Sequence, residues 1–249
     1  MMLLLDIGNT CLHWAYADET SLHGRGTVAH SQALPDEVVS VWQSAARPAR
    51  VIVASVAGHQ LTSAVRHWVE SYWAIAVEEL VATEQFGSVS NGYQQAGQLG
   101  VDRWLAMIAA HRRYGGPVCI VDCGTAVTAD ILSAQGRHLG GLIMPGLSMM
   151  RRALSENTSA IDEFQSGVAP PQQWLADNSR DAVLTGTHYM LLTVINEFVT
   201  DAGALLNGLP ICVMTGGAAA AIRPDLAHDW RHDPDLVFQG MRIVAGSLS

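Results

Sequence analysis

Apolar residues run from Leu3 to Leu5 and stop at Asp6-Ile7-Gly8-Asn9-Thr10. They resume with Leu12, Trp14 and Tyr16 on one side of a two-residue alternation and His13 and Ala15 on the other. That is the pattern of two extended strands joined by a turn. A turn built only to reverse the chain is satisfied by Asn-Gly or Asp-Gly; this one carries a carboxylate, a glycine, an amide and a hydroxyl. The pattern continues with a strand near 24–30, a helix from Pro35 to about Ala46 and a strand over 50–58. An amphipathic helix over 59–73 and a strand near 75–81 follow. Residues 82–100 are polar and glycine-rich, and loops of that length inside a compact domain are often functional. A helix over 102–114 then stops at Gly115-Gly116, a good C-terminal signal.

At that point the plan starts again. "VCIVDCGTAVTADILS" (118–133) repeats an apolar strand, Asp-x-Gly, a small polar residue and a second strand, with Asp122 in the place of Asp6. A third strand, "HLGGLIMPG" (138–146), matches the position of "GRGTVAH" in the first half. Helices near 146–156 and 180–200, a strand "ICVMTGG", a small-residue helix and a helical stretch after Gly240 complete the chain. The same order of elements in both halves predicts a duplicated α/β architecture with a cleft between the copies, cut into domains 1–115 and 116–249.

Composition narrows the chemistry. With 49% hydrophobic and 15% charged residues the chain is globular, and its net charge of −9 argues against a nucleic-acid partner. All 14 basic residues are arginine. Without lysine there is no Walker A loop and no Schiff base to pyridoxal phosphate. Cys11, Cys119, Cys123 and Cys212 lie in apolar, strand-like contexts and read as small core residues. There is no basic region before the first apolar stretch and no run of about 18 apolar residues. A cytoplasmic protein with neither a signal peptide nor a membrane partner is expected.

Two Asp-x-Gly turns facing each other suit phosphate binding. Gly8 and Gly124 allow close backbone approach and unusual dihedrals. Backbone amides, with the hydroxyls of Thr10 and Thr125, can donate to phosphate oxygens. The carboxylates of Asp6 and Asp122 belong beside a nucleotide only if a cation lies between. A single such Asp more often caps its own turn; two in register favour phosphate. Asp102, at a helix start behind a glycine, suits either a general base or an N-cap. Arg103 suits a bidentate contact with a substrate carboxylate or an ion pair with a neighbouring acid.

The Asp-x-Gly-Asn-Thr turn, "DCGTAVTAD" (122–130) and "TGG" (215–217) resemble the acetate and sugar kinase, Hsp70 and actin superfamily. Within it, "NGY" (91–93), "QLGVDRW" (98–104) and "GGLIMPG" (140–146) resemble the type III pantothenate kinases, in consistent order along nearly the whole chain. The resemblance implies duplicated actin-like (ribonuclease H-like) domains and ATP-dependent phosphorylation of pantothenate, the first step toward coenzyme A. It implies ATP binding by Asp6, Ile7, Gly8, Asn9, Thr10, His13, Gly124 and Thr125. Mg²⁺ would be held at Asp6 through ATP, and K⁺ or NH₄⁺ at Asp122. Pantothenate would meet Tyr93, Gly100, Val101, Asp102, Arg103 and Ser179, with Asp102 as base, in a homodimer whose substrate site draws on both subunits.

Some positions depart from the family pattern. His13 stands where lysine is usual, and a neutral imidazole makes a weaker phosphate contact. Ser179 replaces a threonine, Ala218 an aspartate and Ala96 a proline. His228 and His232 read as surface residues, Trp42, Trp68, Trp73 and Trp104 as core, and Met144, Met149 and Met150 as packing or dimer contacts. Two other functions compete: a kinase or phosphatase of the same fold acting on another small alcohol, and a non-catalytic accessory factor of transcription.

Overall fold

A computed structural model describes residues 1–158, 170 and 173–247. Strands β1 (Met2–Ile7), β2 (Cys11–Ala17) and β3 (Leu22–Ala29) form an antiparallel meander. Helix α1 (Asp36–Ser44) leads to β4 (Arg50–Ser55), which lies parallel to β1. Helix α2 (His59–Trp73) leads to β5 (Val77–Leu80), parallel to β4. The sheet order is β3-β2-β1-β4-β5. A small hairpin, β6 (Gln85–Phe86) with β7 (Val89–Ser90), precedes helix α3 (Val101–Tyr114).

The plan is then repeated. Strands β8 (Val118–Cys123), β9 (Ala126–Leu132) and β10 (His138–Pro145) form the second meander, and helices α4 (Leu147–Asn157) and α5 (Ser179–Leu206) follow. Strand β11 (Ile211–Thr215), helix α6 (Ala219–Ile222), strand β12 (Trp230–His232) and helix α7 (Leu236–Ser247) end the chain. The second sheet runs β10-β9-β8-β11-β12, the order of the first, so the duplication expected from the two Asp-x-Gly segments is present in the topology.

The chain divides into two compact units, Met1–Ala109 with Asp235–Ser249, and Ala110–Pro234. A cut after residue 115 would leave α7 with the second half; it groups with the first. The closing helix also begins at Leu236, four residues before Gly240, which lies inside it. A β-carbon on Gly240 would run into the Leu105 carbonyl, so only glycine lets α7 lie this close to α3. That backbone contact replaces the helix break that a glycine suggests in a sequence.

In the first unit, period-2 alternation sorts the strands. Leu3, Leu5 and Ile7 of β1 meet Val38 and Trp42 of α1 and Leu61, Val65, Val69 and Trp73 of α2. Leu4, Ile52 and Ala54 are equally buried and serve the opposite face, where α7 packs on β1 and β4. Arg50 ties this side together, donating to both carboxylate oxygens of Glu78 on β5 and to the Ala245 carbonyl of α7. Trp42 is wholly buried, with ring centroids 6.4 Å from Trp14, 5.4 Å from Trp68 and 6.3 Å from Trp73. Trp68 and Trp73 meet edge to face at 4.8 Å, the preferred geometry for such pairs. The tryptophans are packing residues, as their helical spacing implied.

The second core gathers Cys119, Val121, Cys123, Val127, Met150, Leu191, Ile195, Val199, Cys212, Met214 and Trp230, with Met144 packed against it. All four cysteines are free. Burial, and then the Asp122 charge, push the Cys123 thiol up to about 12, which suits an inert core residue. Among the described residues one helix, Ser179–Leu206, has the length and composition of a membrane span. Its Leu191, Ile195 and Val199 pack into the core of this unit, while most of its apolar window is not buried.

On β3, Gly26 lies opposite Trp14, and any β-carbon there would overlap the indole. Gly26→Val is expected to destabilise the protein by about 1–3 kcal/mol, read from urea denaturation. An unchanged midpoint would mean that the indole has another place to pack.

Candidate active site

The first turn, residues 8–10, closes the β1–β2 hairpin just past the pair Ile7↔Leu12. Carbonyls in and beside it are bonded. Ile7 O accepts from the amides of Val56 at 3.0 Å and Ala57 at 3.3 Å, Thr10 O from His30 N–H at 3.0 Å, and Cys11 O from Gly8 N–H at 3.0 Å. Asn9 and Thr10 are exposed. Asp6 and His13 are register partners on adjacent strands and so share a face. The His13 ring Nδ1 is bonded to Thr27 Oγ1 at 2.8 Å, and burial lowers the ring pKa from 6.5. It is therefore neutral at pH 7.

Backbone bonds brace the second turn. Cys123 O accepts from Ala218 N–H and Thr125 O from Gly146 N–H, each at 3.0 Å. A β-carbon on Gly146 would fall 2.5 Å from the carbonyl oxygens of Gly124 and Thr125. Gly216, at φ +89°, lies against the Asp122 carboxylate so closely that a β-carbon would overlap Oδ1. This gives "TGG" its physical meaning: only glycine lets this backbone pass so close to Asp122 and Cys123. The unusual dihedral belongs to Gly216, whereas Gly8 and Gly124 are not among the positive-φ residues. They serve close approach instead, each with a carbonyl 3.3 Å from where its β-carbon would be.

Asn91 bridges the segment 82–100 with three bonds. Asn91 Nδ2 donates to Thr83 O at 3.1 Å and Ala96 O at 3.2 Å, and Oδ1 accepts from Tyr93 N–H at 3.0 Å. Asn91 belongs to the "NGY" signal, but its scaffolding role depends on backbone partners that no residue pattern reveals. Tyr93 is thereby held against Arg103, whose Nη1 donates to the phenol oxygen at 2.9 Å and whose guanidinium carbon lies 5.7 Å from the ring centre. Arg103 is buried, and Asp102, the second residue of α3, accepts the Arg103 N–H on Oδ1 at 2.7 Å. The carboxylate therefore caps the helix from within its first turn, where the helix dipole favours an anion. Gly100 leaves room for it: a β-carbon there would lie 2.5 Å from Asp102 Oδ1.

Three groups thus form. Asp6, Ile7, Gly8, Asn9, Thr10 and His13 make the first; Tyr93, Gly100, Val101, Asp102 and Arg103 the second, in the same unit; Asp122, Gly124 and Thr125 the third, in the other unit. Ser179 stands apart as the exposed first residue of α5, beside the N-cap Asn178. Among the described residues no group of three or more His, Cys, Asp and Glu could hold a metal, and His228 and His232 share no helix.

A family model of type III pantothenate kinases matches residues 2–201. The chain belongs to the type III pantothenate kinase family. A type III pantothenate kinase of Nitrosococcus oceani is 37% identical over 255 residues, covering 100% of this chain and 95% of its own. Among solved structures, a conserved candidate Baf family transcriptional activator from Campylobacter jejuni shares the fold with a TM-score of 0.61 at 21% identity, covering 99% of this chain and 98% of its own. An inorganic polyphosphate/ATP-glucomannokinase from Arthrobacter does so at 0.50 and 14%, covering 100% and 99%. The architecture is that of the actin-like kinases, as the two Asp-x-Gly turns implied.

Gly100→Ala tests the space beside Asp102 in this pantothenate kinase. The carboxylate is expected to rotate away, lowering kcat while the melting temperature stays within a few degrees. An unchanged kcat would show that the carboxylate has no need of that position.

Proposed function

We propose that the chain transfers the terminal phosphoryl group of ATP to the primary hydroxyl of pantothenate. The products are ADP and 4'-phosphopantothenate, and the reaction is the first step of coenzyme A biosynthesis in the cytoplasm. The observation that carries the reading is the cluster at the start of α3, where a carboxylate, a buried guanidinium and a phenol meet on a chain of this family.

Arg103, presented by Tyr93, binds the pantothenate carboxylate, with contacts from Tyr93, the Gly100-Val101 backbone and Ser179. Asp102 orients the substrate hydroxyl and takes its proton late, as suits a loose phosphoryl-transfer transition state in which the nucleophile needs little activation. Its capping bond does not compete with this, since a carboxylate has two oxygens and several acceptor sites. The amides and hydroxyls of the first turn, with Gly124 and Thr125 of the second, bind the phosphates, and His13 adds a neutral contact.

The residues present fit the ions that the family implies. Asp122 offers a hard oxygen ligand beside a glycine that carries no side chain, which suits K⁺ or NH₄⁺ rather than a soft metal. Asp6 would hold Mg²⁺ through ATP. These cations neutralise phosphate charge, a task that falls to them in a chain without lysine. The enzyme acts as a homodimer with the substrate site near the interface. Leu139, Leu142 and Ile143 on edge strand β10, with Tyr189 and Met190 on α5, expose apolar surface that a second copy would cover.

ADP release in Mg-ATP is expected to require both pantothenate and K⁺ or NH₄⁺, with Na⁺ a poor replacement. Asp102→Asn should lower kcat by roughly 10²–10⁴-fold and leave KM for ATP nearly unchanged. Full activity in Na⁺ alone would remove the cation from the reading, and full activity of the variant would remove the base. His13→Lys is expected to lower KM for ATP about tenfold, because a charged donor replaces a neutral one; an unchanged KM would show that residue 13 does not reach the phosphates.

A further inference from the structure

The first turn has a support that neither the repeat nor the motifs disclose. His30 follows β3 and bonds to the turn twice: its backbone N–H donates to Thr10 O at 3.0 Å, and its ring Nε2 meets Gly8 O at 2.9 Å. The other ring nitrogen sets the tautomer. Nδ1 accepts the N–H of Gln32 at 3.2 Å, so the ring proton resides on Nε2 and points at the Gly8 carbonyl. Gln32 is itself in the left-handed region, at φ +71°, an uncommon conformation for a residue with a side chain. Its Oε1 lies 3.4 Å from where a β-carbon of Gly58, the N-cap of α2, would be. A line of hydrogen bonds therefore runs from the Gln32 amide through the imidazole to the turn.

What this line controls follows from peptide planarity. In a trans peptide the C=O of one residue and the N–H of the next point in opposite directions. Holding Gly8 O toward His30 aims the Asn9 N–H away from His30, on the exposed side of the turn. The backbone bond to Thr10 O orients the Thr10–Cys11 peptide in the same manner. Should the ring bond be lost, the Gly8–Asn9 peptide could rotate and present a carbonyl to an incoming anion, exchanging attraction for repulsion.

We infer that His30 is a positioning residue for nucleotide binding, locking the Gly8–Asn9 peptide so that the Asn9 amide faces the phosphates of ATP. The inference rests on the first turn being the phosphate site. The second turn has no counterpart of this ring, because the corresponding position after β10 is Gly146, whose N–H makes the equivalent bond to Thr125 O.

The test uses two amides of different reach. Glutamine places its side-chain nitrogen where the Nε2 of histidine lies, and asparagine places it where Nδ1 lies. Wild type, His30→Gln and His30→Asn are compared by calorimetric binding of Mg-ADP and by KM for ATP and for pantothenate in steady-state turnover, with melting temperatures alongside. His30→Asn is expected to weaken Mg-ADP and raise KM for ATP about tenfold, the scale of one lost hydrogen bond. KM for pantothenate should stay unchanged, and His30→Gln should restore most of the loss. Equal effects on both KM values, failure of glutamine to rescue in a folded protein, or undiminished nucleotide binding by His30→Asn would each overturn the inference. These outcomes leave the proposed reaction standing if the wild type turns over pantothenate. A wild type that binds no nucleotide would overturn both.

Discussion

A planar peptide offers an amide on one side only by presenting a carbonyl on the other, so any turn that greets an anion with N–H groups must first satisfy oxygens behind it. Both Asp-x-Gly turns are built around that constraint. In the first, Val56, Ala57 and His30 supply the donors to Ile7, Gly8 and Thr10; in the second, Ala218 and Gly146 supply them to Cys123 and Thr125. The strands that follow each meander, β4 and β11, lie parallel to β1 and β8, so their exits arrive at the same end of the sheet as the turns. The parallel pairing thus brings donors from distant sequence to the carbonyls that need them.

Charge is handled with similar economy. Most of the arginines with a defined contact are committed to structure: Arg50 to Glu78, Arg66 to Glu79, Arg113 to Asp233 and Arg25 to Asp235. Arg103 is buried and donates to the phenol oxygen of Tyr93.

Much of the fold was legible because its patterns are strong and local. The opening hairpin, the helix over 59–73 and the repeat of strand order all appear as predicted, since two-residue and 3.6-residue periodicity survive without tertiary information. The β6–β7 hairpin was not legible, because two-residue strands have no period to detect. Nor was β12, a three-residue edge strand with two exposed positions. In the site, residue types that bear chemistry could be read directly, whereas their supports could not. Asn91 and His30 act on backbone carbonyls, which any residue possesses, and Gly26 and Gly240 answer to an indole and a main chain far away in sequence.

The return of α7 to the first unit has a consequence for how the chain is made. Residues 110–234 contain every strand of the second sheet, so that unit can complete its hydrogen-bonded framework during synthesis. The strands of the first unit leave the ribosome first, yet α7, which packs on β1 and β4, is translated only after the whole second unit. The earlier-born half is therefore the later to mature, and a product that stops before α7 lacks that helix against the sheet at its beginning.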